Sequence, residues 1–78
     1  MSSLTKTENI RATEVWFTQN MLYLRLEDGR EIGAPLDWFP KLIGASEEER
    51  NGWRLVGNGI GIHWEMLDED VSVKALLE

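Results

Sequence analysis

The sequence contains no cysteine, and it contains few cations. Without cysteine the chain has neither a disulfide framework nor a thiolate metal site, which suits a reducing cytoplasm. Eight lysines and arginines stand against 14 acids, and the net charge is −6. Because affinity for nucleic acids depends on cations that neutralise phosphates, we expect no direct nucleic-acid binding by the isolated domain.

Long apolar runs are missing as well. Residues 1–9 lack the apolar stretch of a signal peptide, and no segment approaches the roughly 20 apolar residues of a membrane span. We therefore expect a cytoplasmic protein without a membrane partner. The length of 78 residues suits one small domain, which we place at residues 10–78 after a flexible tail at residues 1–9.

The first half of the sequence predicts an antiparallel meander of three strands. Apolar and polar residues alternate over residues 11–18, 21–27 and 30–34, as in half-buried strands, and Pro35 ends the third. The predicted inward residues are Val15, Phe17, Leu22, Leu24, Leu26, Ile32 and Ala34. Asp28-Gly29 is a strong hairpin signal, because a tight turn of this kind has positive φ at both residues.

The middle of the sequence has a helical pattern. Asp37 is the predicted N-cap of a short apolar helix that tolerates Pro40 in its first turn and ends at Gly44. Ser46 then begins an S-x-x-E capping box with Glu49, which predicts a second helix. The three consecutive glutamates favour the positive end of that helix dipole, so a structural role accounts for them.

The last third predicts a second hairpin. Residues 53–56 and 60–64 are its strands, and the Gly and Asn residues at 57–59 supply the positive φ of the connection. The predicted core residues are Ile60, Ile62, Trp64, Met66 and Leu67. Asp68-Glu69-Asp70 is a predicted turn, and Ser72 is the predicted cap of a final helix. The predicted class is α+β: a single small domain with a meander and a hairpin packed against two or three short helices.

His63 is the only histidine and hence a candidate general base, which Asp68 or Asp70 could orient. No nucleophile accompanies it, one histidine is too few for a zinc site, and the acids lack the spacing of an EF-hand. We therefore predict no catalytic residue, metal or cofactor, and structural turn or cap roles for His63, Asp68, Asp70 and Ser72. A small enzyme or metal site around His63 and the Asp68-Glu69-Asp70 turn is the alternative.

Four tryptophans are more than a core of this size easily buries. Trp64 and Trp53 are predicted core residues, whereas Trp16 falls on the opposite strand face, beside Tyr23 and Arg25. An exposed aromatic and arginine surface is typical of a binding hot spot. Helices could instead cover this face and form a second core, and periodicity alone leaves both arrangements open.

Several motifs occur together in a fixed order: LEDGREI at 26–32, PLDWFPKL at 35–42, ASEEERNGW at 45–53, GIHW at 61–64 and LDEDVSV at 67–73. Through them, residues 12–77 resemble the bacterial domain of unknown function 2442. The resemblance implies an α+β domain, found alone or joined to a helix-turn-helix segment, and often encoded beside a second small protein in pairs like toxin and antitoxin. It implies no enzymatic activity. The sequence ends at Glu78 without such a segment, so we expect no DNA binding from a second domain.

Together these features predict a non-catalytic protein-binding module, with the antitoxin-like or regulatory member of a two-protein system as its specific form. The predicted partner is a protein encoded nearby, and the predicted partner-binding residues are Trp16, Tyr23 and Arg25. A transcription-related accessory domain is a further alternative. Pairing of the strand edge at residues 11–18 with a second copy leaves a homo-oligomer open.

Overall fold

The computed structural model describes residues 10–77, so the predicted tail at residues 1–9 lies outside the described residues. The strands are β1 (Ala12–Phe17), β2 (Met21–Leu26), β3 (Glu31–Pro35), β4 (Trp53–Val56), β5 (Gly61–Trp64) and β6 (Glu69–Ser72). The helices are α1 (Pro40–Ile43), α2 (Glu47–Arg50) and α3 (Val73–Leu77), a 3₁₀ turn covers Leu36–Trp38, and residues 57–59 form a tight turn with positive φ. The strands form two three-stranded antiparallel sheets in the orders β1-β2-β3 and β4-β5-β6. The predicted α+β class is confirmed, and β6 is an additional strand.

The first sheet follows the alternation of its sequence. Leu22, Leu24 and Leu26 are buried on one face, together with Val15 of β1. Each fully buried leucine contributes about 1.5–3 kcal/mol relative to an exposed one. Because successive strand residues point to opposite faces, the same register turns Trp16 and its cross-strand neighbours away from the core.

A four-residue connection, Glu27-Asp28-Gly29-Arg30, joins β2 to β3. The Gly29 amide donates to the Leu26 carbonyl at 2.9 Å, and the Leu26 amide donates to the Arg30 carbonyl at 2.8 Å. Gly29 has a φ of +96°, but Asp28 does not have positive φ, so that part of the turn prediction is wrong. Asp28 instead accepts hydrogen bonds from the backbone amide and the Nε of Arg30. The hydrogen bond from the Arg30 amide is the main reason that the pKa of Asp28 lies below its ordinary value.

The predicted N-cap role of Asp37 is wrong. Residues Leu36–Trp38 form a 3₁₀ turn, and Phe39 then has an extended φ of −129° and ψ of 84° before α1 begins at Pro40. Proline disfavours helical backbone in the residue that precedes it, so Phe39 separates the two short segments. Gly44 follows the last residue of α1, as predicted.

The predicted capping box of α2 is confirmed. Ser46 Oγ accepts a hydrogen bond from the Glu49 amide at 3.1 Å, and Glu49 Oε1 accepts one from the Ser46 amide at 2.9 Å. Such an N-cap contributes about 1 kcal/mol. Because α2 has four residues and none is buried, this pair of hydrogen bonds is a large part of what holds it.

The second sheet confirms the predicted hairpin but corrects two core residues. Gly57, Asn58 and Gly59 all have positive φ, and Ile62 and Trp64 are fully buried. Ile60 is 51% exposed, because its φ of −76° and ψ of −15° are helical and it precedes β5. Met66 is 69% exposed in the turn after β5, whereas Leu67 packs against the core.

The two sheets share one core. Trp64 lies at its centre, where its ring meets Phe17 at a centroid distance of 6.3 Å and its indole N–H donates to the Arg50 carbonyl at 2.9 Å. Trp53 is partly buried against this core. Gly59 is buried against β1, with Ala12 as its neighbour. Within residues 10–77, none of the helices has the length and apolar character that a membrane crossing requires.

Candidate functional site

The outer face of the first sheet carries a row of aromatic rings. Antiparallel pairing places Trp16 opposite Tyr23, and Tyr23 opposite Gly33. The two rings stack with centroids 5.7 Å apart and an interplanar angle of 17°. A Cβ atom at residue 33 would lie 2.6 Å from Tyr23 Cε1, so the tyrosine ring lies against the bare backbone of Gly33. Both rings are therefore held in one position across three strands.

A second row, of charged side chains, runs beside the aromatic row. Arg25 pairs with Glu31 at 2.9 Å and with Glu14 at 3.6 Å, and its guanidinium carbon lies 5.5 Å from the centre of the Trp16 ring. These side chains are roughly half exposed, so each ion pair contributes only about 0.2–1 kcal/mol. The two carboxylates balance the charge of Arg25, which makes it a poor phosphate ligand.

This face is turned to solvent. Glu14, Arg25, Glu31 and Gly33 are exposed, and Trp16 and Tyr23, which stack on each other, are partly buried. The sequence allowed either an exposed outer face or one covered by helices. Within residues 10–77 the helices do not cover this face, and the core lies on the other side of the sheet. Trp16, Tyr23 and Arg25 lie together, as the strand alternation predicts.

A cleft of about 440 Å³ opens at the Trp16 end of this face. The end of β1 and the following turn form one wall, and α2 forms the other. The lining residues are Trp16, Phe17, Thr18, Gln19, Glu47, Arg50 and Asn51. The sequence did not indicate this cleft, because it depends on how α2 packs beside β1, and the glutamates of α2 had a sufficient structural explanation.

His63 lies on the outer face of the second sheet, between two carboxylates. Its Nδ1 is 2.7 Å from Asp70 Oδ1, and its Nε2 is 3.3 Å from Glu65 Oε1. Glu65 also accepts a hydrogen bond from Arg54 at 3.2 Å. Antiparallel register places Arg54, His63 and Asp70 in one row, so these contacts follow from strand pairing.

The acidic run differs from its prediction. Glu69 and Asp70 belong to β6, so the predicted Asp68-Glu69-Asp70 turn is wrong; the turn precedes Glu69. Asp68 has a φ of 52°, and its carbonyl accepts a hydrogen bond from Lys41 Nζ at 3.0 Å. Of the two acids proposed to orient His63, Asp70 contacts the ring.

Within residues 10–77, no three acidic or imidazole side chains converge in a way that could hold a metal ion.

Two further surface features concern single residues. Ser72 caps α3 as predicted, since its Oγ accepts a hydrogen bond from the Ala75 amide at 3.3 Å.

Trp38 is the most exposed of the four tryptophans, at 63% exposure. The sequence pattern placed Trp38 in an apolar helix, but the interruption at Phe39 puts it on a short exposed turn.

The fold and these surfaces define a small α+β domain with two antiparallel sheets. Solved structures with this fold include a protein of unknown function from Rhodospirillum rubrum, with 30% identity, a TM-score of 0.75, and 87% of this chain and 84% of that chain covered. An uncharacterised protein from Chromobacterium violaceum, studied by solution NMR, has 25% identity and a TM-score of 0.76, with 95% and 70% covered. No curated protein matches the chain. The family described as "Protein of unknown function (DUF2442)" matches residues 12–78, and the chain belongs to this family.

Proposed function

We propose that this domain is a non-catalytic protein-binding module and that its binding surface is the outer face of the first sheet. The observation that carries the proposal is the stacked pair of Trp16 and Tyr23, which is partly exposed and bordered by Arg25. Tryptophan, tyrosine and arginine are the residues most enriched in binding hot spots. Here they are adjacent, on rigid strands rather than on a loop.

The rings are also prepared for binding in the free domain. Tyr23 is confined between Trp16 and the backbone of Gly33, so it has little freedom left to lose when a partner covers it. Immobilising a free side chain at an interface costs about 0.5–1.5 kcal/mol. A preorganised aromatic surface avoids much of this cost, which supports a role in recognition.

The specific form that we propose is the antitoxin-like or regulatory member of a two-protein system, with a partner encoded nearby. The net charge of −6 supports a partner of basic character, because opposite charges accelerate association and disfavour wrong partners. The partner is placed nearby because the resemblance carried by the sequence motifs implies genes encoded in pairs.

Co-expression with the product of the adjacent gene, followed by size-exclusion chromatography and calorimetry, tests the proposal. We expect a stable complex, and we expect Trp16→Ala to weaken it by about 30-fold or more, which is the size of a 2 kcal/mol hot spot. Trp16→Ala should fold, because Trp16 lies outside the core. The matched control is Trp38→Ala, which removes a more exposed tryptophan from a different element. Absence of a complex, or equal weakening by both variants, would contradict the proposal.

A further inference from the structure

The cleft between β1 and α2 opens beside the proposed binding surface and shares Trp16 with it. We infer that this cleft receives one basic side chain, a lysine or an arginine, from a segment of the protein partner. The inference rests on the proposed function and adds the chemistry of the partner at one position.

The carboxylate of Glu47 is the first argument. Glu47 lines it and is exposed, and among residues 10–77 no ion pair engages the Glu47 carboxylate. Glu49 is different, because it is bound in the capping box. The carboxylate of Glu47 is therefore available for a cation that enters from outside.

Arg50, a cation that also lines the cleft, is already committed to the fold. Its Nε donates to the Leu42 carbonyl at 2.8 Å, and a terminal nitrogen donates to the Ile43 carbonyl at 3.0 Å. Its guanidinium carbon also lies 5.9 Å from the centre of the Phe17 ring. These contacts hold Arg50 against the end of α1, and among residues 10–77 no ion pair joins it to Glu47.

Trp16 supplies the second argument. Cations of lysine and arginine are attracted to tryptophan rings, and tryptophan is the aromatic residue best suited to this contact. Arg25 already makes this contact, with its guanidinium carbon 5.5 Å from the centre of the Trp16 ring, so the ring is suited to a cation. A long basic side chain in the cleft would have its alkyl portion against Trp16 and its charge near Glu47. The volume of about 440 Å³ accommodates such a side chain.

The direct test is an NMR titration of the ¹⁵N-labelled full chain with short capped peptides. The probes are acetyl-Gly-Arg-Gly-amide, the same peptide with citrulline, which is neutral and nearly the same shape, and the same peptide with glutamate. We expect saturable shifts of the Trp16 indole N–H and the Glu47 amide, with a Kd on the order of 1–10 mM for the arginine peptide. The citrulline peptide should bind about threefold more weakly or worse. No saturable shift, or equal binding of the three peptides, would overturn the inference.

Two neighbouring glutamates provide a matched pair of variants. Glu47→Gln should weaken the arginine peptide about two- to fivefold, since an exposed ion pair is lost. Glu48→Gln removes the same charge from α2, but Glu48 does not line the cleft, so the affinity should stay within experimental error. Equal weakening by both variants would show attraction to the net charge alone and would overturn the inference.

The same variants separate this inference from the proposed function. If the partner complex forms and depends on Trp16 but is unaffected by Glu47→Gln, the cleft inference fails and the protein-binding proposal stands. If the arginine peptide binds at the cleft but no partner complex forms, the proposed pairing fails and the cleft chemistry is supported.

Discussion

Replacement of Gly59 by alanine should be among the most damaging single changes in this domain. Gly59 is buried in the connection between β4 and β5, and it has a φ of +100°. A Cβ atom there would lie 2.5 Å from the Ala12 carbonyl oxygen and 3.0 Å from Arg11 Cβ. These two residues are the first residue of β1 and the one before it, so the added methyl group would push the two sheets apart.

The expected cost has two parts. Holding a residue with a side chain in a sparsely populated backbone region costs on the order of 1–3 kcal/mol. Crowding in a well-packed interior adds about 1–3 kcal/mol. The sum is about 2–6 kcal/mol, against a total stability of about 4–12 kcal/mol for a domain of this length.

Gly29→Ala is the matched control. Gly29 has nearly the same φ, +96°, but a Cβ atom there would meet nothing within 4 Å. This variant should lose only the backbone part, about 1–3 kcal/mol. Urea unfolding followed by circular dichroism measures both variants, and an unchanged m-value would show that the change lies in stability. Equal losses for Gly29→Ala and Gly59→Ala would refute the claim that close contact at Ala12 determines the cost.

Two pairs of variants test the cap of α2 and the packing of Trp64, and urea unfolding measures the stability of each variant. Ser46→Ala should cost about 1 kcal/mol, because the Glu49 amide loses its acceptor, whereas Glu48→Ala, on the same turn, should change stability by less than about 0.5 kcal/mol. Trp64→Phe should cost about 2–5 kcal/mol, since it leaves a cavity and removes the indole hydrogen bond to the Arg50 carbonyl. Trp53→Phe, at a partly buried position, should cost less; the reverse order would contradict the central place of Trp64 in the core.

Local signals in the sequence predicted the parts of the fold that depend on neighbouring residues. The capping box at Ser46 and Glu49 needs only four consecutive residues, and the alternation of Leu22, Leu24 and Leu26 sets one face of β2. The outer row with Trp16 followed from the same alternation. These features were predictable because their partners are close in sequence or share one strand.

Features that depend on more distant contacts were not predictable in this way. Within β6, Val71 is the buried residue, and the acids before it match a turn as well as a strand, so β6 is defined mainly by its pairing with β5. The interruption at Phe39 had a local signal, the following proline, which was outweighed by the apolar pattern. No local sequence signal indicated the cleft at Glu47, because β1 and α2 are far apart in sequence.

The four-residue length of α2 has a consequence for how the cleft responds to what enters it. One wall belongs to a hydrogen-bonded sheet with a leucine-rich underside, while the other is a single helical turn without a buried residue, held by its cap and by Arg50. Hydrogen exchange should therefore be fast in the α2 wall and slow in the sheet wall. We therefore expect the α2 wall, and not the aromatic row, to adjust to what the cleft receives.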